Sequence, residues 1–419
     1  MSEQISRFVG LDWGSEVHVA CVIDAEREVL DELSVAHSGE ALQKLTIQLQ
    51  QHGKPEQIGV AIEVSRGPVV ETLLERGFRV FALNPKQLDR FRDRHSVSGA
   101  KDDRRDAFVL ADSLRTDQHA FREVSLDDPD VIALRELSRI DEDHKTQWNA
   151  LGNRMRQQLH RYYPQVLKLS KQADEPWIWA LLEKAPTPAK AKRLRRPSVQ
   201  ALLRAHRIRR FDADEVLAVL KEEPLIVAPG ATEAAWSHIE YLIPQLRLLH
   251  QQRRDVARRL EAVLQKLSEP EGAQGQPGEH RDAAVLLSLP GVGIKVAATM
   301  LSEAAQPIAE RDHAALRALS GVAPITRASG KRSGPRAKVT MRRACNGRLR
   351  NATYHWARVA SQRDPYWKAT YEALRRKGHS HGRACRTVAD RLLRALCAML
   401  RDHTLYDASR FKVIDRLAA

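Results

Sequence analysis

Over the first eighty or so residues, apolar and polar positions come in short runs with turn-forming residues between them. The runs Phe8–Leu11, His18–Ile23 and Glu28–Ser34 predict three strands, separated by Gly14-Ser15 and by Asp24-Ala25-Glu26. A helical pattern near 39–52 follows. Then come a strand over 57–63, a helix near 67–76, a strand over 78–83 and a helix running from Asp103 to Leu114. Strands first, then strand and helix in alternation, predict an α/β layer fold for the first 125 residues.

Beyond that point the period lengthens. Leu137, Ile140, His144, Trp148, Leu151, Met155, Leu159 and Tyr162 advance by three or four, which predicts one long helix over 131–163. Trp236, Ile239, Ile243, Leu246, Leu249, Val256, Leu260, Val263 and Leu267 form a second stripe, in which Pro244 should mark a kink or a helix start. Each stripe suits a coiled-coil seam, within one chain or between two. Residues 165–232 between them read as a basic helical insert, with Lys190, Lys192, Arg193, Arg195, Arg196, Arg204, Arg207, Arg209 and Arg210. The Gly- and Pro-rich stretch 269–279 reads as a linker, and 280–419 as a mostly helical domain.

Charge sharpens this outline. The 419 residues carry a net charge of +15, an electrostatic footprint suited to phosphate backbones. Asn84 to Lys101 adds Lys86, Arg90, Arg92 and Arg94. The four cysteines (Cys21, Cys345, Cys385, Cys397) make no C-x-x-C pair, so neither a zinc ribbon nor a disulfide framework is indicated, and His379 and His381 lack ligand spacing. The absence of a signal-peptide pattern and of a long apolar stretch predicts a cytoplasmic protein with no membrane span.

Against this basic background four acids stand out. Asp12 closes the first strand and Glu63 the fourth, while Asp103 and Asp106 share one face at the start of a helix. If the two strand ends and the helix converge, four hard oxygen ligands surround one small volume. Two Mg²⁺ ions there would make a phosphodiester-cleaving site. Singly, each acid has a plainer reading. Glu63 could be a solvated strand end, and Asp103 and Asp106 could be helix N-terminal charges favoured by the macrodipole. Their joint placement favours the metal site.

The C-terminal part adds two motifs. Leu289-Pro290-Gly291-Val292-Gly293 before an Ala-rich helix is a helix-hairpin-helix signature, in which Gly291, Gly293 and Lys295 would meet a phosphate. An ordinary turn between core helices is the plainer reading. Residues 331–350 hold eight Lys or Arg and no acid, with Lys331, Arg332, Arg336, Lys338, Arg342 and Arg343 among them as expected nucleic-acid contacts. The hydroxyls Thr326, Ser329 and Ser333 stand beside this run. A hydroxyl among arginines is what phosphoryl transfer to an enzyme side chain needs.

These motifs, in this order, resemble the insertion-sequence one-ten family of transposases, relatives of the Piv-type DNA invertases. Gly10-Leu11-Asp12-Trp13-Gly14, Ile62-Glu63 and Lys101-Asp102-Asp103-Arg104-Arg105-Asp106-Ala107 resemble the family's N-terminal motifs. Leu289–Gly293, Gly321-Val322-Ala323-Pro324 and Ala328-Ser329-Gly330 resemble its C-terminal domain. The resemblance implies a ribonuclease H-like (RuvC-like) N-terminal domain, with Asp12, Glu63, Asp103 and Asp106 as DEDD metal ligands and Ser329 as the nucleophile. It also implies donor and target DNA as substrates, a structured bridge RNA as guide, and a homodimer assembling to a tetramer on the bacterial nucleoid. Asp102 departs from the family's usual Thr, and the 165–232 insert is longer than compact members carry.

Three rival readings remain open from the sequence. A RuvC-like nuclease would use metal-activated water and leave Ser329 structural. An actin-like sugar kinase or ATPase would share the Gly10-x-Asp12-x-Gly14 turn, but no second Gly-rich phosphate loop follows. A basic architectural or RNA-binding protein would leave the four acids without a purpose.

Overall fold

In the computed structural model the described residues are 4–63, 66–83, 91, 102–124, 128–269, 281–327 and 338–411. The chain divides into two units, Met1–Asp127 and Asp128–Ala419.

The first unit follows the predicted order: β1 (Arg7–Asp12), β2 (Val17–Ile23), β3 (Val29–Ala36), α1 (Gly39–Gln50), β4 (Ile58–Ile62), α2 (Pro68–Glu75), β5 (Arg79–Ala82) and α3 (Asp103–Asp117). A two-residue strand that the sequence pattern does not signal, β6 (Arg122–Glu123), completes a mixed six-stranded sheet of order β3-β2-β1-β4-β5-β6. β1 and β4 are parallel, as are β4 and β5. The pleat sends alternate residues to opposite faces. Val9, Leu11, Val60 and Ile62 pack with Leu45, Leu49 and Leu73 of α1 and α2. Phe8 and Ala61 pack with Ala107, Leu110, Ala111 and Leu114 of α3. β4 is buried along its whole length, which accounts for its continuous apolar run.

Among its described residues the second unit is helical apart from one small sheet. α4 (Pro129–Tyr162) carries Pro129 in its first turn, where the missing N–H is harmless. Five short helices form the insert: α5 (Gln165–Leu169), α6 (Pro176–Lys184), α7 (Pro188–Ala191), α8 (Arg196–Ala205) and α9 (Ala213–Leu220). α10 (Ala231–Ser268) returns along α4. Pro244 neither starts nor ends α10 but lies within it. An interior proline costs about 3 kcal/mol. Burying Leu242, Ile243 and Leu246 around it offsets that, at about 2 kcal/mol per side chain.

The apolar stripes meet each other inside one chain. Leu134 packs with Val256, Leu260 and Leu264, while Trp148, Met155, Leu159 and Tyr162 pack with residues of the 235–249 segment. The helices are therefore antiparallel, and Lys266 pairs with Asp130 at 2.7 Å where the end of one meets the start of the other. The stripe alone is thus no argument for a second chain.

The remaining elements are α11 (Asp282–Ser288), α12 (Ile294–Glu303), α13 (Ala305–Ala309), α14 (His313–Leu319), β7 (Pro324–Arg327), β8 (Lys338–Met341), α15 (Gly347–Arg363), α16 (Pro365–Arg376) and α17 (His381–Arg401). β7 and β8 form an antiparallel pair within a domain that the sequence pattern predicts as mostly helical. One core joins these helices to Leu134, Val256, Leu260 and Leu264 of the long pair. A second core, around Trp177 and Trp179, joins the insert to the other end of the pair. No helix among the described residues is long and apolar enough to cross a membrane. The expected linker over 269–279 lies outside the described residues except for Glu269.

Candidate active site

Strand register places the first two acids. β1 and β4 run in parallel with Leu11 opposite Ile62, so Asp12 and Glu63 are the next residues on each strand. Both leave the sheet at its carboxyl edge. Asp12 follows Phe8 and Gly10 on the face covered by α3, and Glu63 follows Gly59 and Ala61 on that same face.

Glycines bring the other two acids there. A Cβ on Gly10 would stand 1.8 Å from the Ala107 carbonyl oxygen and 2.5 Å from the Ala111 nitrogen, so the helix backbone lies directly on the strand. A Cβ on Gly59, which pairs with Phe8, would meet Leu114 at 3.1 Å. α3 therefore runs back along β1, with Leu114 near its beginning and Ala107 near its end. The first turn, with Asp103 and Asp106, projects toward the edge that bears Asp12 and Glu63. Asp106 is buried, Asp12 and Glu63 are half-buried, and Asp103 is exposed.

Asp102 has a separate job. It is the N-cap of α3, and its side chain accepts a hydrogen bond from the Arg104 amide at 3.3 Å. Thr and Asp both serve as N-caps, so the departure from the family motif keeps the cap. Asp112, a buried acid farther along α3, is neutralised by Arg115 at 2.8 Å and Arg27 at 3.3 Å, which anchors the far end of the helix.

The turn after Asp12 is held by a pair that sequence reasoning missed. The Gly14 amide donates to Nδ1 of the buried His18 at 3.2 Å, and Nε2 of His18 lies 2.9 Å from Nδ1 of His37. With Nδ1 accepting, the proton of neutral His18 sits on Nε2 and is donated to His37. Burial, then the neighbouring His37, hold the His18 pKa below its usual value. The only sequence signal was a histidine at a buried strand position.

The four carboxylates are hard oxygen donors of the kind Mg²⁺ takes, and their backbone positions share one edge. As the side chains stand, no three His, Cys, Asp or Glu among the described residues form a group that could hold a metal ion. The donor set thus fits in kind and in backbone placement, while the side chains still have to gather.

The second unit treats the other expected residues differently. Gly291 has φ +84°, and a Cβ there would lie 2.6 Å from the Ala360 nitrogen of α15. Trp356 of α15 donates to the Pro290 carbonyl at 3.1 Å. This turn is packed against protein at Gly291, whereas Gly293, the N-cap of α12, has open space around it. Lys295 gives its ammonium to Asp141 of α4 at 2.6 Å. Arg343 is exposed, and Arg342 donates to the Ala344 carbonyl at 2.9 Å. Lys338 opens β8, and Thr326 is exposed on β7. Ser329, Lys331, Arg332, Ser333 and Arg336 lie outside the described residues, as does the basic segment 84–101 apart from Phe91.

The four cysteines are free thiols, and burial pushes that of Cys21 up to about 12. His381 bonds the Tyr354 and Tyr371 hydroxyls at 3.0 and 2.7 Å, a structural role.

Comparison with known proteins gives matches in both units. Residues 9–164 match a protein-family model described as "Transposase", the DEDD type of IS110. Residues 283–372 match one described as "Transposase IS116/IS110/IS902 family". The "Mini-circle putative transposase for IS117" of Streptomyces coelicolor is 32% identical, over 96% of this chain and 96% of its own length. The "Insertion element IS110 uncharacterized 43.6 kDa protein" of the same organism is 28% identical, over 97% of each. A third relative, the "Putative transposase y4uE" of Sinorhizobium fredii, is 48% identical over 51% of this chain and 60% of its own length.

Proposed function

The chain belongs to the IS110 family of transposases, and from that premise we propose that it cuts and rejoins DNA by phosphoryl transfer, with groups drawn from both units. What supports this reading is the backbone placement of Asp12, Glu63, Asp103 and Asp106 toward one edge of the mixed sheet, which follows from the β1–β4 register and the Gly10 contact with α3. These four carboxylates would hold two Mg²⁺ ions, which supply charge neutralisation at the scissile phosphate when bound. The His18–Gly14 contact holds the turn that follows Asp12. The half-burial of Asp12 and Glu63 keeps both at the sheet rim, where a phosphate can reach them.

Ser329 acts as the nucleophile. Its oxygen forms a bond to phosphorus, the bond from phosphorus to one DNA oxygen breaks, and the proton lost from the serine passes to that leaving oxygen. The product is a phosphoserine link to one DNA end, and the reverse step with a new end reseals the strand. Lys331, Arg332 and Arg336 would stabilise the charge on the transferring group. A structured bridge RNA selects donor and target DNA, and a dimer pairs into a tetramer that sets Ser329 of one chain beside the acids of another.

A suicide DNA substrate tests the reading. Wild-type protein should leave a covalent adduct that mass spectrometry maps to Ser329. Ser329→Ala should remove adduct and cleavage while DNA binding persists, because binding draws on many phosphate contacts. Asp12→Asn or Glu63→Gln should do the same, as should EDTA. Cleavage by Ser329→Ala with no wild-type adduct would replace the serine with metal-activated water.

A further inference from the structure

The insert is not accounted for by the catalytic reading, and its surface is unusual. From Ala185 to Arg210 the chain has nine Lys or Arg and no Asp or Glu. All nine are exposed. Two of them fasten the segment: Arg196 pairs with Asp214 at 2.9 Å and Arg210 with Glu175 at 2.7 Å. Burial alone would raise the Glu175 pKa, but the bonds from Arg210, Ser170 and Trp177 outweigh it and lower it. The other seven make no ion pair among the described residues. Beneath them, Val199, Leu202 and Leu203 tie α8 into the Trp177 and Trp179 core. The cations are therefore carried on a packed platform.

One of them occupies a strained position. α8 ends in a Schellman motif: Ile208 donates to the Leu203 carbonyl at 2.9 Å and Arg207 to that of Arg204 at 3.0 Å. The residue at its left-handed position is Arg207, with φ +55°. Glycine is the strain-free choice there.

We propose that this face of the insert docks duplex DNA through its phosphates, at a distance from the recombining bond. The chemistry favours that occupant over others. No Phe, Trp or Tyr lies in 185–210, so the surface has no platform for stacking the bases of a single strand. No large apolar side chain is among its exposed residues, so a protein partner finds no buried anchor and a membrane no apolar face. What remains is exposed positive charge, closely spaced along the chain and carried on packed helices, which suits phosphates. Duplex DNA is preferred to an RNA helix because the chain is a transposase.

The inference rests on the chain acting on DNA and is independent of Ser329 and the four acids.

The test measures binding of the full chain to a 40-base-pair duplex of arbitrary sequence across a salt series. Changing Lys192, Arg193, Arg195 and Arg204 together to Gln should weaken binding about tenfold or more at physiological salt. The salt slope should become shallower by about 3.5, at about 0.9 for each phosphate no longer neutralised. A control set, Lys54, Arg76, Arg254 and Arg259 to Gln, lowers net charge equally and should cost less than about twofold. Arg207→Gly guards against misfolding: it should raise Tm by about 2–4 °C while lowering DNA affinity about threefold. An RNA duplex of equal length forms the last arm. Loss on DNA in the insert set and not in the control set supports the proposal. An unchanged slope, equal loss in both sets, or loss confined to RNA overturns it.

Discussion

Gly10 and Gly291 do the same physical thing in two places, with opposite consequences. Each lets a helix backbone come closer than a Cβ would permit: a Cβ would stand 1.8 Å from the Ala107 carbonyl oxygen at Gly10 and 2.6 Å from the Ala360 nitrogen at Gly291. At Gly10 the close approach carries the first turn of α3 to the end of β1, so acids distant in sequence share an edge. At Gly291 it seals a turn against α15, so that glycine of the motif faces protein, while Gly293 beyond it stays open. A glycine shows that something must come near. Only the fold shows whether the visitor is a ligand or another helix.

The largest effect should follow from breaking the first contact. Gly10→Ala places a methyl inside the Ala107 carbonyl, and backbone cannot yield as a flexible side chain can. α3 must move by an ångström or more. Overpacking of this kind costs about 1–3 kcal/mol or more, and a misplacement of that size costs about a hundredfold in rate. Recombination should fall at least about a hundredfold, well beyond what the loss of stability explains. A melting curve beside an activity assay measures both, and near-normal activity would detach α3 from the site.

The matching change in the second unit should disturb folding and leave binding alone. Gly291→Ala combines a left-handed φ with a contact to backbone, about 2–4 kcal/mol together. DNA affinity per folded molecule should stay within about twofold. Lys295→Ala should behave likewise at about 1 kcal/mol, because its ammonium serves Asp141. A tenfold loss of DNA affinity in either variant, with folding intact, would restore the phosphate reading of this turn.

Much of the first unit was legible because its strands are short, apolar and punctuated, and because Asp12 and Glu63 stand where those runs stop. The meeting of Gly10 with Ala107 was not, since no local pattern records a contact between residues so far apart in sequence. The long stripes were legible as helices but not as partners: period marks the apolar face and is silent on what covers it. Pro244 left a kink or a helix start open, and the helix start is overturned because local propensity lost to the burial of Leu242, Ile243 and Leu246. β7 and β8 were hidden by their cationic surroundings, where Lys338-Val339-Thr340-Met341 alternates too briefly to read as a strand.

The smallest effect sharpens the contrast at the Asp12 end, where the turn is held by a titratable group. His18 can accept from the Gly14 amide only while Nδ1 is unprotonated. Burial and His37 lower its folded-state pKa, so the unfolded chain, titrating near 6.5, binds the proton more readily. The contribution of His18 is therefore fully present above pH 6.5 and is lost as pH falls below that value toward the folded-state pKa. His18→Asn keeps an acceptor near the Nδ1 position and cannot titrate. Between pH 7.5 and 5.5 the stability of wild type relative to this variant should drop, by no more than about 1.4 kcal/mol, the worth of one pKa unit. Urea unfolding at the two pH values measures the difference, in which the histidines other than His37, the hydrogen-bond partner of His18, cancel. Parallel pH profiles for the two proteins would mean that the Gly14 contact survives protonation, and that the turn beyond Asp12 is fixed by the backbone alone.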